Sequence, residues 1–241
     1  MEDRALELWH ILQSSPLLWL AVTLLVFQVA RRVARRTGSP WLNPVLTSII
    51  VISALLLLTG TPYDVYFGHV GFIHFLLGPA TVALAVPLAQ RADRLRQTAG
   101  PITGALVVGS LTAIVSAVGL GWALGATPPT LLSLAPKSVT TPIAMGISEK
   151  LGGVPPLTAV LVILTGVIGA VIGGPLLDRL RIRDHTVRGF AMGLASHGIG
   201  TARSFEADPE AGAFSGLGMG LNGLLTALII PILAALLGWG P

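Results

Sequence analysis

Long apolar stretches separated by short charged clusters make up almost the whole sequence. The charged residues fall only at 2–7, 31–36, 64, 91–96, 137, 149–150, 178–188 and 203–210. Most of the runs between them are long enough to cross a bilayer core, which requires about 20 helical residues. The pattern predicts an all-α polytopic membrane protein of about seven or eight segments, at 15–30, 42–60, 69–90, 101–125, 131–152, 156–177, 188–204 and 212–238.

The composition supports a membrane protein and excludes several other classes. Hydrophobic residues make up 53% of the 241 residues and charged residues 11%, whereas soluble domains carry about 25% charged residues. The absence of cysteine excludes disulfides and thiolate chemistry. The net charge of +4 comes from arginines clustered between apolar runs, as in cytoplasmic loops, so we expect no nucleic-acid partner. We predict a multi-pass protein of the bacterial inner (cytoplasmic) membrane, with residues 15–30 retained as an anchor because "RRVARR" follows them.

The distribution of cationic loops predicts that residues 131–152 enter and leave the membrane on one side. Loops 31–36, 91–96 and 178–188 are all arginine-rich and favour the cytoplasm. Simple alternation of eight spanning segments places the third of these loops outside. A re-entrant 131–152 removes the conflict, and the two prolines Pro136 and Pro142 make a continuous helix there unfavourable.

An approximate internal repeat accompanies this predicted re-entrant segment. The runs "GPATVALAVP" (78–87) and "APKSVTTPIAM" (135–145) are both bounded by prolines and carry hydroxyl side chains. A shift of 57 residues also aligns 109–116 with 166–173. Opposed broken helices are typical of secondary transporters, so we predict an inverted repeat. The chain is then one integral membrane domain, 1–241, with N-terminal helices (15–60), a first broken-helix repeat (69–130) and a second broken-helix region (131–241).

Lys137 is the strongest candidate for a functional residue. No other charge lies within ten residues of it, and Pro136 precedes it. An ionisable group in such a position is a functional hypothesis by default, although a lysine also reaches the interface when it lies near a helix end. Ser138, Thr140 and Thr141 add hydroxyl groups beside a broken backbone, and this combination suits a small carboxylate. Alternatively, each threonine is bonded to the preceding helical turn.

A second candidate region is "GFAMGLASHGIGTARSFEADPEAGAFSG", residues 189–216. His197 could bind substrate, carry a coupling proton or satisfy a neighbouring carbonyl. Arg203 could grip a carboxylate, or pair with Glu206. The substrate-binding residues that we predict are Lys137, Ser138, Thr140, Thr141, His197, Thr201, Arg203, Thr81 and Asn43. The backbone breaks that we predict are at Pro79, Pro136, Pro142, Gly198 and Gly200.

The sequence offers little support for an enzyme. Ser196 and His197 are neighbours in sequence and do not form a nucleophile–base pair through adjacency alone. One central histidine without a cluster of acidic residues argues against a metal site, and no phosphate-binding loop is present in the sequence. We therefore predict no catalytic residues, no metal and no cofactor.

Four ordered motifs identify a resemblance that covers residues from about 40 to 238. "LGPATVALAVPL", "APKSVTTPIAMGIS", "LTAVLVILTGVIGAVIG" and "SHGIGTARSFE…GAFSGLGM" resemble the LrgB/CidB family of bacterial membrane proteins. The resemblance implies an antiholin-like regulator of murein hydrolase export that works with a small LrgA/CidA-type membrane partner. It equally implies transport, because plastid relatives carry glycolate and glycerate, and some bacterial members are linked to small keto or hydroxy acids. This chain departs from the family pattern at Ser204-Phe205-Glu206.

Weighing these observations, we predict a secondary transporter of small monocarboxylates such as glycolate, glycerate, lactate or pyruvate, working by alternating access. The alternative is the antiholin-like regulator, which does not require an isolated lysine and two broken helices. We expect a homo-oligomer, such as a dimer, because the glycine-rich helices offer packing surfaces. The sequence leaves proton coupling, sodium coupling and uniport open.

Overall fold

Helices connected by short turns make up the computed structural model, which describes residues 14–38, 42–76, 79, 82–83, 86, 89–90, 92–236 and 238. No strand occurs in these ranges. The helices are α1 (Pro16–Thr37), α2 (Pro44–Thr59), α3 (Tyr63–His69), α4 (Gly71–Phe75), α5 (Ala92–Ala123), α6 (Pro128–Leu134), α7 (Thr141–Leu151), α8 (Pro155–Arg179), α9 (His185–Ala207) and α10 (Pro209–Leu236). The chain divides into two compact units, 1–83 and 84–241.

Four of the described helices are long and apolar enough to cross a membrane: Pro16–Thr37, Arg96–Ala123, Pro155–Arg179 and Pro209–Leu236. Their outer faces carry large apolar side chains that a soluble protein would bury, such as Leu120 and Ile168. The predicted all-helical membrane class is therefore confirmed in this form. The count of seven or eight segments and the inverted repeat stay predictions, because much of 69–90 lies outside the described residues.

The N-terminal unit is organised around Trp19 of α1, which is fully buried against Leu56 and Val70. The Tyr66 ring of α3 meets the Trp19 ring edge-on, with centroids 5.5 Å apart. The Tyr66 hydroxyl also lies 3.0 Å from the Thr23 hydroxyl. Aromatic pairs of this geometry add to the free energy of simple burial, so the α1–α3 contact anchors the unit.

The predicted interruption of 131–152 is present as the connection 135–140 between α6 and α7. Pro142 occupies the first turn of α7, where a missing N–H costs nothing. Behind the break, buried hydroxyls tie this helical hairpin to α8. The Val154 N–H donates to the Ser133 hydroxyl at 2.8 Å, and the Thr158 hydroxyl donates to the Ser148 hydroxyl at 2.8 Å. The broken segment is therefore held by specific hydrogen bonds.

Helix α9 lies between α8 and α10, and glycines allow the close approach on both sides. On the α10 side, Gly189 and Gly193 face the backbone of Ala211 and Ser215, with no room for a Cβ. On the α8 side, Gly166, Gly169 and Gly173 face side chains of α9. Small residues four apart allow membrane helices to pack backbone to backbone. The glycine content of this region is therefore explained by the tight packing of α9.

A hydrophobic cluster in the C-terminal unit packs α5 against α9 and α10. Phe214 is fully buried against Ile102, Leu106 and Leu194, which joins α5, α9 and α10. Asp208 alone connects α9 to α10. The Asp208 carboxylate accepts from the N–H groups of Glu210 and Ala211, so this acid caps α10.

Candidate functional site

Lys137 lies in the break between α6 and α7, as the sequence predicts. Its ammonium nitrogen lies 3.3 Å from the Ser138 hydroxyl, and the side chain is half-buried. No carboxylate of the described residues forms an ion pair with it. Since a membrane-embedded cation is costly without a counter-charge, this arrangement favours an anionic ligand beside Lys137.

The N-terminus of α7 borders the same break. Thr140 is the N-cap residue, yet its hydroxyl forms no capping hydrogen bond. The Thr141 side chain, also half-buried, has no hydrogen-bond partner among the described residues. The first N–H groups of a helix lack partners within the helix and carry a partial positive charge. Lys137, two free hydroxyls and a helix N-terminus therefore line the break.

Helix α9 is interrupted at His197, whose backbone has φ 43° and ψ −134°. A side-chain-bearing residue in this region of φ/ψ space costs about 1–3 kcal/mol and persists only where its surroundings enforce it. The His197 ring nitrogen Nε2 donates to the Val162 carbonyl of α8 at 2.9 Å, so this nitrogen carries the proton. Nδ1 has no hydrogen-bond partner among the described residues. His197 thus combines a strained backbone with one unused ring nitrogen.

We expect His197→Gly to have a free energy of unfolding about 1 kcal/mol or more above that of His197→Ala. Its melting temperature should therefore be higher. Both variants lose the bond to Val162, but only glycine adopts a positive φ without strain. Thermal unfolding of the two detergent-purified variants measures the difference. Equal melting temperatures, or a more stable alanine variant, would contradict the strained backbone at this position.

The two breaks meet at one buried side chain of α10. The Asn222 amide nitrogen donates to the Ser138 carbonyl at 3.2 Å and to the Leu194 carbonyl, one turn before His197, at 3.0 Å. The lysine break (residues 135–140) and the histidine break (the interruption of α9 at His197) therefore form one site.

Thr201 and Arg203, two of the predicted substrate-binding residues, are bonded to other protein groups in the structure. The buried Thr201 hydroxyl donates to the His197 carbonyl at 2.9 Å and accepts from the Ser215 hydroxyl at 3.0 Å. These bonds are internal, so Thr201 supports the break and its hydroxyl is already used. The exposed Arg203 pairs with Glu206 at 3.2 Å. No hydrogen bond or ion pair among the described residues joins Arg203 to the site.

The remaining predicted breaks and ligands are Gly198, Gly200, Pro79, Asn43 and Thr81. The non-helical residue of α9 is His197, and Gly198 follows it directly. Gly200 continues the helix and lies where a Cβ would meet the Met192 carbonyl oxygen at 2.5 Å, so it serves packing. Asn43 belongs to the N-terminal unit, where its Oδ1 accepts from the Val45 and Leu46 N–H groups and caps α2. Thr81 lies outside the described residues, and Pro79 is described without its neighbours, so no break is located there.

Asn222 is the residue of the site that we did not predict from the sequence. The sequence indicates only an asparagine in an apolar segment, for which helix packing is the ordinary role. Its partners lie 84 and 28 residues away in sequence, so no local pattern could have located them.

The arrangement is suited to hold a small anion. Among the described residues, no group of three or more histidine, aspartate or glutamate side chains could hold a metal ion. The groups that surround the joined breaks are a cation, hydroxyls and helix N–H groups, all of which donate to a carboxylate.

Comparison with known proteins places this chain in a family. Residues 23–236 match the LrgB-like family. The chain is 38% identical to an uncharacterized protein of Bacillus subtilis (strain 168), YwbG, over 89% of this chain and 95% of that protein. It is 30% identical to the "Holin-like protein CidB" of Staphylococcus aureus (strain Mu50), over 91% of this chain and 96% of that protein. No solved structure matches the chain. The chain belongs to the LrgB-like family of membrane proteins.

Proposed function

We propose that this chain is a secondary transporter of small monocarboxylates, of the glycolate, glycerate, lactate or pyruvate type. The main support for the proposal is the environment of Lys137. This half-buried cation lies in a helix break and has no carboxylate partner among the described residues. A substrate carboxylate supplies the missing counter-charge. Two- and three-carbon acids suit the site because its described donors are few and close together.

Each group of the joined breaks has a role in this proposal. Lys137 and the hydroxyls of Ser138, Thr140 and Thr141 bind the carboxylate at the N-terminus of α7. His197 faces the substrate with Nδ1, while its Nε2–H keeps the ring against α8. Broken helices whose N-termini point at an anionic group are the substrate sites of many secondary transporters, and access alternates when one bundle moves against another. The substrate then binds at the junction of the moving parts.

Uptake of labelled glycolate, lactate and pyruvate into proteoliposomes that hold this chain alone tests the proposal. We expect saturable uptake that unlabelled lactate inhibits and its neutral amide, lactamide, does not, because the site recognises the negative charge. The absence of saturable uptake of every acid by correctly folded protein would contradict a self-sufficient carrier.

A holin-like role is the second candidate, and the name of the Staphylococcus aureus relative supports it. In that role the chain regulates murein hydrolase export together with a small LrgA/CidA-type membrane partner. The two candidates differ in proteoliposomes loaded with a dye too large for a monocarboxylate carrier. Dye release on reconstitution, alone or with the small partner, would favour the holin-like role. Dye retention together with acid uptake supports the carrier.

The same proposal includes the cellular setting. We place the chain in the bacterial inner membrane as a multi-pass protein, because the arginine clusters follow the pattern of cytoplasmic loops. We also propose a homodimer, for which the unpacked glycines of α5, Gly100, Gly104 and Gly119, offer a surface that permits close helix contact.

A further inference from the structure

Asn222 of α10 is almost completely buried and forms four hydrogen bonds. Its amide nitrogen donates to the carbonyls of Ser138 and Leu194, and its Oδ1 accepts from the hydroxyls of Ser110 and Thr226. A carboxamide offers two N–H donors and two acceptor lone pairs, so every bonding position is used. Because the two carbonyls only accept, the nitrogen of the amide must face them, which fixes its orientation.

Both carbonyls that Asn222 binds belong to interrupted helices. The Ser138 carbonyl lies in the connection before α7, and the Leu194 carbonyl lies one turn before the non-helical His197. A helix interruption leaves carbonyls on its N-terminal side without partners in the next turn. An unpaired carbonyl at membrane depth is costly. Asn222 donates a hydrogen bond to one carbonyl at each break, and so it links the two breaks.

We infer that Asn222 is a positioning residue that holds the two breaks at a fixed separation. Through this bond pair, the connection that carries Lys137 and the helical turn just before His197 are both bonded to one side chain. Asn222 itself is 1% exposed and does not touch a ligand there. Its effect on transport rests on the proposed function, whereas its effect on the geometry of the breaks does not.

Two variants of Asn222 separate its donors from its size. Asn222→Asp keeps the shape but supplies at most one donor in place of two, and Asn222→Leu removes both donors without adding a charge. Ser110→Ala is the matched control, because it removes one bond to Oδ1 and leaves both donors in place. We expect Asn222→Asp to raise the half-saturation concentration for uptake at least tenfold, with the maximal rate changed less than threefold. Ser110→Ala should change both values less than threefold.

Distances between spin labels test the positioning directly. The chain contains no cysteine, so cysteines introduced at the exposed positions Glu149 of α7 and Ala202 of α9 carry labels without background. We expect one narrow distance distribution in the parent and in Ser110→Ala, and a broadened or shifted one in both Asn222 variants. If either Asn222 variant fails to fold, Asn222→Ser, which retains one donor, takes its place.

The outcomes keep this inference and the proposed function distinguishable. A changed distance in protein that transports no acid would support the positioning role and contradict the transporter. An unchanged distance in folded Asn222 variants would overturn the positioning role whatever the transport result. An equal loss of maximal rate in Asn222→Asp and Ser110→Ala, with unchanged half-saturation, would also overturn it, because that pattern indicates general destabilisation.

Discussion

Replacement of Lys137 by glutamine is expected to lower the uptake of glycolate, lactate or pyruvate by about 100-fold at low substrate concentration. Glutamine keeps most of the length of the side chain and a hydrogen-bond donor, but it lacks the charge that faces the carboxylate. A hydrogen bond to a charged group contributes about 1.5–3 kcal/mol, and about 1.4 kcal/mol corresponds to tenfold in affinity. Initial rates in proteoliposomes measure the effect.

Lys150→Gln is the matched control for this prediction. Lys150 belongs to the same helix, α7, but is exposed near its C-terminus. The two substitutions make the same change of net charge. We expect Lys150→Gln to retain uptake within threefold of the parent. Similar losses in both variants would indicate a general effect of charge on orientation or insertion and would remove the argument for a local site.

The second large effect concerns the α9–α10 contact. Gly193→Ala places a Cβ against the Ser215 carbonyl, 2.6 Å from its carbon and 2.8 Å from its Cα. Both are backbone atoms, so the helices must separate. Overpacking costs about 1–3 kcal/mol and occasionally more, and the break at His197 lies one turn away. We expect a lowered melting temperature in detergent or a loss of monodisperse protein.

Gly174→Ala tests the same chemical change where space is available. A Cβ at Gly174 of α8 meets nothing within 4 Å. Alanine is better than glycine in a helix interior by about 0.5–1 kcal/mol, so this variant should melt at or above the temperature of the parent. Opposite signs for the two substitutions support the packed interface. A Gly193→Ala protein as stable as the parent would contradict it.

The lysine break is predictable from the sequence because its determinants are local. Pro136 and Pro142 lie within seven residues and exclude a continuous helix, and Lys137 is the isolated charge between them. The hydroxyl groups of Thr140 and Thr141 belong to the same stretch, whereas the structure is needed to show that they are unbonded. The membrane class is equally local in origin, since it depends on the length of apolar runs.

The histidine break is only partly predictable. Glycines at 198 and 200 indicate an interruption, and the structure places it one residue earlier, at His197, against backbone preference. The cause is tertiary, because the His197 ring is bound to Val162, 35 residues away in sequence. Thr201 similarly has the residue type of a ligand, but its partners across the α9–α10 contact use its hydroxyl. Sequence spacing does not reveal which hydroxyls are already bonded.

The central claim is that a carboxylate binds at the break 135–140. The most direct test is whether substrate protects a cysteine at position 140 from chemical labelling. In the naturally cysteine-free chain, Thr140→Cys is labelled with a maleimide in the presence of lactate or of lactamide. Glu149→Cys, exposed on the same helix, is the control. The account predicts that lactate slows labelling at position 140 at least fivefold, while lactamide does not, and that position 149 responds to neither. Equal labelling rates at position 140 with and without saturating lactate, in protein that still transports it, would place the carboxylate elsewhere.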